Sequence, residues 1–255
     1  PTGKVPPAVL ARCFWRGLFL QAAWNRRGMQ NLGFAYAIDP ALRALYPDAA
    51  RREEALRRHL LFFNCHPYTA AAILGGAIHH EEKVAAGAEL PGAPLAYKAT
   101  LQGPLAAVGD GFFWAGLRPF AGAAAALGTL ALGWPALVAA LVAYNALALW
   151  IRWSLFRAGY RTGDAVVERV AVLQLPRWAG HLRDAGAVLA GAAAGLIAVR
   201  AAAETGATAG AVALASAAGG WLALSRGARL LPSAYAAIAL GLAAAAAQAI
   251  LRGVP

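Results

Sequence analysis

The stretch PFAGAAAALGTLALGWPALVAALVAYNALALWI, residues 119–151, carries no charged side chain over 33 positions. A helix needs about 20 residues to cross a hydrocarbon core of about 30 Å, and a straight helix of this length would extend about 50 Å. Gly133, Trp134 and Pro135 lie near its middle, and proline removes a helical hydrogen-bond donor. The stretch therefore predicts a broken helix or a re-entrant hairpin with its break at residues 133–135.

The composition of the whole chain also favours a membrane location. Of 255 residues, 60% are hydrophobic and 14% charged, with a mean hydropathy of +0.53. Further uncharged runs cover residues 185–199, 205–225 and 230–251. The sequence predicts an all-α integral membrane protein with cytoplasmic or interfacial N-terminal helices, broken or re-entrant helices in the middle, and Ala/Gly-rich transmembrane helices at the C-terminus.

Charge is unevenly distributed along the chain. Residues 1–62 hold ten Lys/Arg and four acids, and residues 152–183 hold six arginines and two acids. Because basic residues concentrate in cytoplasmic loops, both segments are predicted to face the cytoplasm, and the net charge of +11 reflects membrane orientation, not nucleic-acid binding. Arginines interrupt the apolar segment VLARCFWRGLFLQAAW, residues 9–24, which favours an interfacial helix over a secretory signal.

These features predict a single membrane domain, residues 1–255, with four parts. A basic amphipathic N-terminal region covers 1–62, a broken or re-entrant helical core covers 63–151, a basic cytoplasmic segment covers 152–184, and C-terminal transmembrane helices cover 185–255. Within the last part, GAAAG at 191–195 and GATAG at 206–210 have the spacing that permits close helix packing, although such matches arise by chance in this composition.

Local signals predict several helix boundaries. Asp39-Pro40 and Pro47-Asp48 each resemble a helix start. In the second of these helices, four-residue spacing predicts ion pairs of Glu53 with Arg57 and of Glu54 with Arg58. Proline disfavours helix in the residue before it, so the segment Asn64-Cys65-His66-Pro67 predicts a break.

The segment GPLAAVGDGFFWAGLRPF, residues 103–120, contains a candidate binding site. Asp110, Trp114 and Arg118 are four residues apart, so an α-helix would place them on one face, with the two charges about 12 Å apart. Sugars are bound by planar polar groups with an aromatic surface behind them. The alternatives are that Asp110 only caps a helix and that Arg118 only extends to the membrane interface.

The break at Asn64 and His66 is a second candidate, because broken helices at membrane depth often line transport sites. The alternative is a satisfied kink in which Asn64 is a helix C-cap. His79, His80, Glu81 and Glu82 lack the spacing of known metal motifs, so a polar helix end is favoured over a metal site. The sequence contains no phosphate-binding glycine loop, and its two cysteines have no paired spacing.

Several motifs in order resemble the IID component of the mannose/fructose/sorbose-type bacterial phosphotransferase system. The resemblance covers about residues 14–163. The motifs are WNRRGMQNLGFAYAIDPALRALYP (24–47), RRHLLFFNCHPYTAAAILGG (57–76), KATLQGPLAAVGDGFFWAGLRP (98–119), YNALALWIRW (144–153) and GYRTG (159–163). The C-terminal part is similar only in being apolar.

The resemblance implies a transport subunit that is not itself an enzyme. Such a chain would pair with a polytopic IIC subunit, as a trimer of IIC–IID, in the bacterial inner membrane, with several crossings and a cytoplasmic N-terminus. Soluble IIA and IIB subunits would carry phosphoryl groups from phosphoenolpyruvate to a hexose, and IID itself would need no cofactor. Together with the break at Asn64 and His66, the resemblance gives the candidate residues of the sugar path as Asn64, His66, Glu81, Lys98, Asp110, Trp114 and Arg118. Lys98 and Arg118 are alternatively scaffold partners of a buried carboxylate.

Some positions depart from the family pattern. His79 and His80 replace residues that are usually apolar, Gln102 replaces a usual methionine, and Ala107 replaces a usual glycine. These departures leave open an alternative function, a divergent IID-like membrane scaffold or regulatory protein that no longer transports. A histidine-metal membrane enzyme is a second rival.

Overall fold

The description rests on a computed structural model, which describes residues 3–205 and the single positions 211, 215, 218 and 219. The described part is helical, and between residues 3 and 205 only isolated bridges, Asn25 with Met29 and Met29 with Phe63, have β geometry. The prediction of an all-α protein is therefore confirmed. The uncharged runs 205–225 and 230–251 and the segment GATAG lie almost wholly outside the described residues.

The helices follow one another along the chain with short connections. Their bounds are α1 Pro7–Gly17, α2 Asn31–Leu45, α3 Ala49–His59, α4 Ala70–Ala85, α5 Ala93–Gly109, a π-helix Asp110–Leu117, α6 Arg118–Leu132, α7 Trp134–Thr162, a 3₁₀ turn Gly163–Ala165, α8 Val166–Val172 and α9 Leu175–Thr205. Two continuous helical stretches, Ala93–Leu132 and Trp134–Arg200, are long and apolar enough to cross a membrane.

The chain divides into two compact units. The first contains residues 1–121 and 139–185, and the second contains residues 122–138 and 186–255. Every candidate site residue belongs to the first unit. In the second unit, the predicted break is confirmed, because α6 ends at Leu132, Gly133 has a φ of +81°, and α7 begins at Trp134.

The core of the first unit requires two helices to approach closely. The backbone of α4 at Gly75 contacts the backbone of α7 at Phe156, and Gly159 of α7 contacts the Ala72 carbonyl. A Cβ atom at either glycine would overlap these backbone atoms. Glycine at both positions therefore allows α4 and α7 to pack backbone against backbone, and α4 is buried along most of its length.

The predicted helix start at Asp39-Pro40 is wrong, because Pro40 lies inside α2. Proline cannot donate to the carbonyl of Tyr36, the residue four positions earlier. Arg16 replaces that donor, since its Nη1 lies 3.2 Å from the Tyr36 carbonyl oxygen and 3.1 Å from Asp39 Oδ2. An arginine from α1 thus satisfies the carbonyl that Pro40 leaves free, and the helix continues.

The start of α3 agrees with the sequence. Asp48 is its N-cap, and the carboxylate accepts a hydrogen bond from the Arg51 amide at 2.9 Å. The predicted pair of Glu53 and Arg57 forms at 2.6 Å. The predicted pair of Glu54 and Arg58 does not, because the Arg58 guanidinium points into the unit instead.

The predicted interfacial helix over residues 9–24 is shorter than expected. The helix α1 ends at Gly17, and Phe14 is buried against Trp153 and Phe156 of α7. Trp15 and Phe19 remain exposed.

Candidate functional site

A polar turn between α3 and α4 forms one side of the candidate site. It begins after His59 and ends before Ala70, as the Asn64–Pro67 segment predicts. Its backbone is fixed by the loop that precedes α2: the Gln30 amide donates to the Phe63 carbonyl at 2.9 Å, and the Cys65 amide donates to Gln30 Oε1 at 3.0 Å. The turn is therefore a defined structure, and it presents Asn64 to the exterior.

The second side of the site is the π-helix, Asp110–Leu117. Such helices are rare and frequently occur at functional sites. It lies in a continuous helical stretch from α5 to α6, so the alternative that Asp110 is a helix N-cap is wrong. Pro104 and Pro119 flank it, and each lacks the amide hydrogen that a regular helix would use.

His66 joins the two sides. Its imidazole stacks on Phe113 at 5.0 Å and 10°, and its centroid lies 5.0 Å from that of Trp114. Gly109 lies directly against the His66 ring, where a Cβ atom would overlap it. The hydroxyl of Thr69 also donates to the Leu105 carbonyl at 2.8 Å. The polar turn and the π-helix thus pack as one surface.

The electrostatics of His66 follow from its burial. The side chain is 2% exposed, and burial, followed by the charge of Arg152, lowers its pKa to about 4. The ring is therefore neutral near pH 7. Nδ1 accepts a hydrogen bond from the Tyr68 amide at 3.2 Å, and Nε2 has no hydrogen-bond partner within residues 3–205.

The exposed rim of the site comprises Asn64, Asp110, Trp114 and Arg118. Trp114 is 38% exposed, and the Arg118 guanidinium carbon lies 4.9 Å from the centre of its ring. Asp110 lies near Cys65, whose pKa is raised to about 12 mainly by burial and, to a smaller extent, by this carboxylate. Neither Asp110 nor Arg118 forms a salt bridge with another residue of the described part. The rim therefore offers an anion, a cation and an aromatic face.

The structure places Glu81 elsewhere, in a buried cluster under the polar turn. The Glu81 carboxylate accepts hydrogen bonds from Arg58 Nε and Nη2 at 2.7 and 2.8 Å, from His59 Nε2 at 2.8 Å and from the Tyr46 hydroxyl at 2.7 Å. Its side chain is 0% exposed. Four hydrogen bonds occupy this carboxylate, and it does not reach the rim.

The protonation states in the cluster follow from burial and pairing. Burial alone would raise the pKa of Glu81, but hydrogen bonds from Arg58 and His59 outweigh it and lower the pKa to about 2. Burial lowers the pKa of His59 to about 4, against the opposing effect of its hydrogen bond to Glu81. Near pH 7, a neutral His59 therefore donates from Nε2 to an ionised Glu81.

Lys98 completes the buried cluster. It is 1% exposed, and its Nζ lies 4.3 Å from the Phe34 ring centre, 5.4 Å from the Phe63 ring centre and 3.5 Å from the His59 carbonyl oxygen. Glu81 is the nearby opposite charge. The aromatic faces and the Glu81 charge offset part of the cost of burying this amine.

The remaining acidic and histidine side chains of α4 have protein partners. His79 Nδ1 lies 2.9 Å from the Tyr160 carbonyl oxygen, His80 Nδ1 lies 2.7 Å from Glu89 Oε2, and Glu82 Oε1 accepts from the Tyr160 hydroxyl at 2.7 Å. No cluster of three metal-ligating side chains occurs between residues 3 and 205. These contacts fit the sequence interpretation of a polar helix end.

The structure thus separates the candidate residues into two groups. Asn64, His66, Asp110, Trp114 and Arg118 belong to the surface formed by the polar turn and the π-helix. Glu81 and Lys98 belong to the buried cluster. Arg58, His59 and Tyr46 were missed by sequence reasoning. The one signal that could have indicated them is the position of Arg58 and His59 within six residues before the predicted break at Asn64.

Comparison with known proteins supports the family resemblance. Residues 4–207 match the profile described as "PTS system mannose/fructose/sorbose family IID component". The mannose-specific EIID component of Escherichia coli K12 is 43% identical over 170 residues, which are 65% of this chain and 59% of that protein. The fructose permease IID component of Bacillus subtilis is 36% identical over 162 residues, 62% of this chain and 58% of that protein.

Solved structures extend the comparison to the fold. A chain in the cryo-EM structure of the mannose transporter ManYZ with microcin E492 is 34% identical, with a TM-score of 0.60, over 75% of this chain and 71% of that one. A second chain, described as a membrane protein, has the same identity and coverage and a TM-score of 0.66. The matched region is about 59% of the length of the Escherichia coli relatives. With its family match and its membrane-protein neighbours, the chain belongs to the IID component family of mannose/fructose/sorbose phosphotransferase systems.

Proposed function

We propose that this chain forms, with a IIC subunit, the translocation path for a hexose of the mannose/fructose/sorbose class in the bacterial inner membrane. Partner IIA and IIB subunits then carry the phosphoryl groups, and IIB phosphorylates the sugar as it emerges in the cytoplasm. Relatives that are named as mannose, fructose and sorbose components support this range of substrates. The solved ManYZ relative, a mannose transporter, supports the partnership.

The observation that carries the proposal is the surface where His66 packs against Trp114. Trp114 is exposed there with the Arg118 guanidinium over its ring, and Asn64 of the polar turn and Asp110 at the start of the π-helix are exposed as well. Hydroxyl groups of a sugar can both donate and accept, so Asp110 would accept, Arg118 would donate, and Asn64 would do both. Trp114 would supply the apolar surface on which a sugar ring lies.

Glu81 and Lys98 have a positioning role in this proposal. Lys98 contacts Phe63 and the His59 carbonyl, at the end of α3 and within the polar turn. Glu81 ties α3 to α4 through Arg58 and His59. The two charges thereby fix the segment that carries Asn64 and His66.

The proposed orientation places the N-terminus in the cytoplasm, with several membrane crossings. The basic segments 1–62 and 152–184 support it, because lysine and arginine concentrate on the cytoplasmic side. The predicted four-part division of the chain belongs to the same proposal.

Affinity purification of the tagged full chain from its own host, in mild detergent, tests the partnership. A IIC-type protein recovered at about equal stoichiometry is the expected result. Recovery of the chain alone, or with proteins unrelated to phosphotransferase systems, would contradict the proposal and favour the non-transporting scaffold. Metal analysis of the same sample distinguishes the transport subunit and the scaffold from a metal enzyme, which would carry stoichiometric zinc or iron.

A further inference from the structure

An apolar groove lies between α1 and α7, away from the candidate sugar site. It is lined chiefly by Ala11, Phe14 and Trp15 of α1 and by Ala146, Trp150 and Trp153 of α7, and its volume is about 510 Å³. That volume is within the range of about 300–1,000 Å³ that is usual for small-molecule sites. The groove is open to the exterior, and Trp15 and Trp150 are more than half exposed.

The lining of the groove continues into two arginines. Ala146, Trp150, Trp153 and Arg157 are spaced by four, three and four residues, so they form one stripe along α7. At 1.5 Å per residue, Arg157 lies about 16 Å beyond Ala146 along the helix axis. Its guanidinium carbon is 5.9 Å from the Trp153 ring centre. The stripe therefore changes from apolar to cationic at one end.

Arg161 adds a second charge to this end. It lies four residues after Arg157, and both side chains are exposed. Neither forms a salt bridge with another residue of the part of the chain that the structure describes. Like charges at this spacing repel each other, and a shared anion would relieve the repulsion.

We propose that the groove binds an anionic phospholipid. One acyl chain lies between α1 and the tryptophans of α7, and the phosphate is bound by Arg157 and Arg161. The chemistry at each part agrees with this ligand: an open apolar groove, tryptophans that prefer the membrane interface, and a pair of cations. The arginines belong to the basic segment predicted to face the cytoplasm, and anionic lipids are concentrated in the cytoplasmic leaflet.

The charge gradient favours a lipid over a protein helix. A protein helix in the groove would cover the tryptophans through apolar contacts alone. It would have no need of an anionic group beside Arg157 and Arg161. The stripe instead pairs one apolar channel with one cationic end, which matches an acyl chain and its headgroup. This site is distinct from the sugar surface; it rests on the proposed membrane orientation but not on sugar transport.

Native mass spectrometry of the purified full chain tests the site. Phosphatidylglycerol and phosphatidylcholine with identical acyl chains are titrated separately. We expect phosphatidylglycerol to bind more tightly, and the double variant Arg157→Gln, Arg161→Gln to lose about tenfold in its affinity, because two charge-assisted contacts are removed. The double variant Arg169→Gln, Arg183→Gln is the matched control, since it removes the same charge from exposed positions outside the groove and should retain wild-type affinity.

A second variant tests the channel itself. Ala146→Phe narrows the groove at an exposed position, so folding is preserved, and it should lower the occupancy of both lipids. Equal affinity for the two lipids in the wild type would overturn the proposal and indicate unspecific membrane contact. Equal losses in the Arg157/Arg161 variant and its control would also overturn it. So would a protein cross-linked at Trp150 that excludes lipid from the groove.

Discussion

Two regions of the first unit contain the same kinds of side chain in opposite settings. In the buried cluster, Glu81 is surrounded by hydrogen-bond donors and is fully buried. On the rim, Asp110 is exposed and has no salt bridge to any residue of the described part. Both carboxylates are among the sequence-based candidate residues of the sugar path. Their surroundings nevertheless assign one to folding and leave the other available to a ligand.

The difference shows that a charged residue in an apolar chain has two separate uses. A buried carboxylate must be matched by donors inside the protein, because its desolvation is expensive. A carboxylate at an exposed rim keeps its hydration until a ligand replaces the water. The two regions should therefore respond differently to the same substitution.

Replacement of Glu81 by alanine should give the largest effect. It leaves the partly buried Arg58 without its counter-charge and the buried His59 without its acceptor, which should destabilise the protein by about 3–5 kcal/mol. Asp110→Ala removes no internal partner and should change stability by less than about 0.5 kcal/mol. Chemical unfolding of both variants in mild detergent measures the contrast. Equal losses would show that the two carboxylates do not differ as described.

The stability of the buried cluster should depend on pH in two stages. The pKa of His59 is lowered from its ordinary 6.5 to about 4. As the pH decreases, His59 is therefore protonated in the unfolded state before it is protonated in the folded state. Stability should therefore fall as pH decreases from about 6.5 to about 4. The pKa of Glu81 is lowered from 4.5 to about 2, and its contribution is lost as pH falls from about 4.5 to about 2.

A pH series of unfolding midpoints measures these stages. The buried His66, whose pKa is also lowered to about 4, contributes to the same upper stage. His59→Gln should therefore reduce that stage without removing it, and the Arg57→Gln variant, which changes an exposed ion pair, should leave both stages unchanged. A wild-type midpoint that is constant from pH 7 to pH 4 would contradict the assignment of a neutral His59.

The sequence predicted those features that local chemistry decides. Gly133 with Pro135 specifies the break between α6 and α7, and Asp48 specifies the start of α3. The turn at Asn64–Pro67 is likewise specified locally, because Pro67 disfavours a helical conformation at His66. Each of these depends on residues within about one helical turn.

Features that depend on distant residues were missed. The helix α2 continues through Pro40 because Arg16, 20 residues before Tyr36, satisfies the freed carbonyl. Arg58 turns from Glu54 toward Glu81, 23 residues away, because a buried charge-assisted pair is stronger than an exposed one. Close backbone packing in the described part occurs at Gly75 and Gly159, which no glycine motif in the sequence singled out, and no described residue packs against Gly191 or Gly195 of the GAAAG segment.

On the rim, Asp110→Asn should reduce sugar uptake while complex assembly is preserved. A hydrogen bond to a charged group contributes about 1.5–3 kcal/mol, so the apparent affinity for sugar should fall roughly 10- to 100-fold. Uptake of labelled hexose by cells that express the whole transporter is the measurement. Asp184→Asn is the matched control, because Asp184 is exposed on α9 and lies outside the candidate site. Normal uptake by Asp110→Asn would remove Asp110 from the proposed sugar site.

The smallest expected effect concerns Arg118 and Trp114, and it decides what the rim offers to a ligand. The guanidinium carbon lies 4.9 Å from the ring centre, and an exposed cation–π contact contributes about 0.5–1 kcal/mol. A double-mutant cycle with Arg118→Gln and Trp114→Leu, measured by unfolding, should show a coupling of that size. A coupling near zero would mean that Arg118 leaves the ring and extends to the membrane interface. In that case the ring alone would face the sugar, and Arg118→Gln would leave uptake unchanged. A measurable coupling, together with reduced uptake by the Arg118→Gln variant, would instead mean that the arginine is held over the tryptophan. In that position it could donate to a sugar hydroxyl.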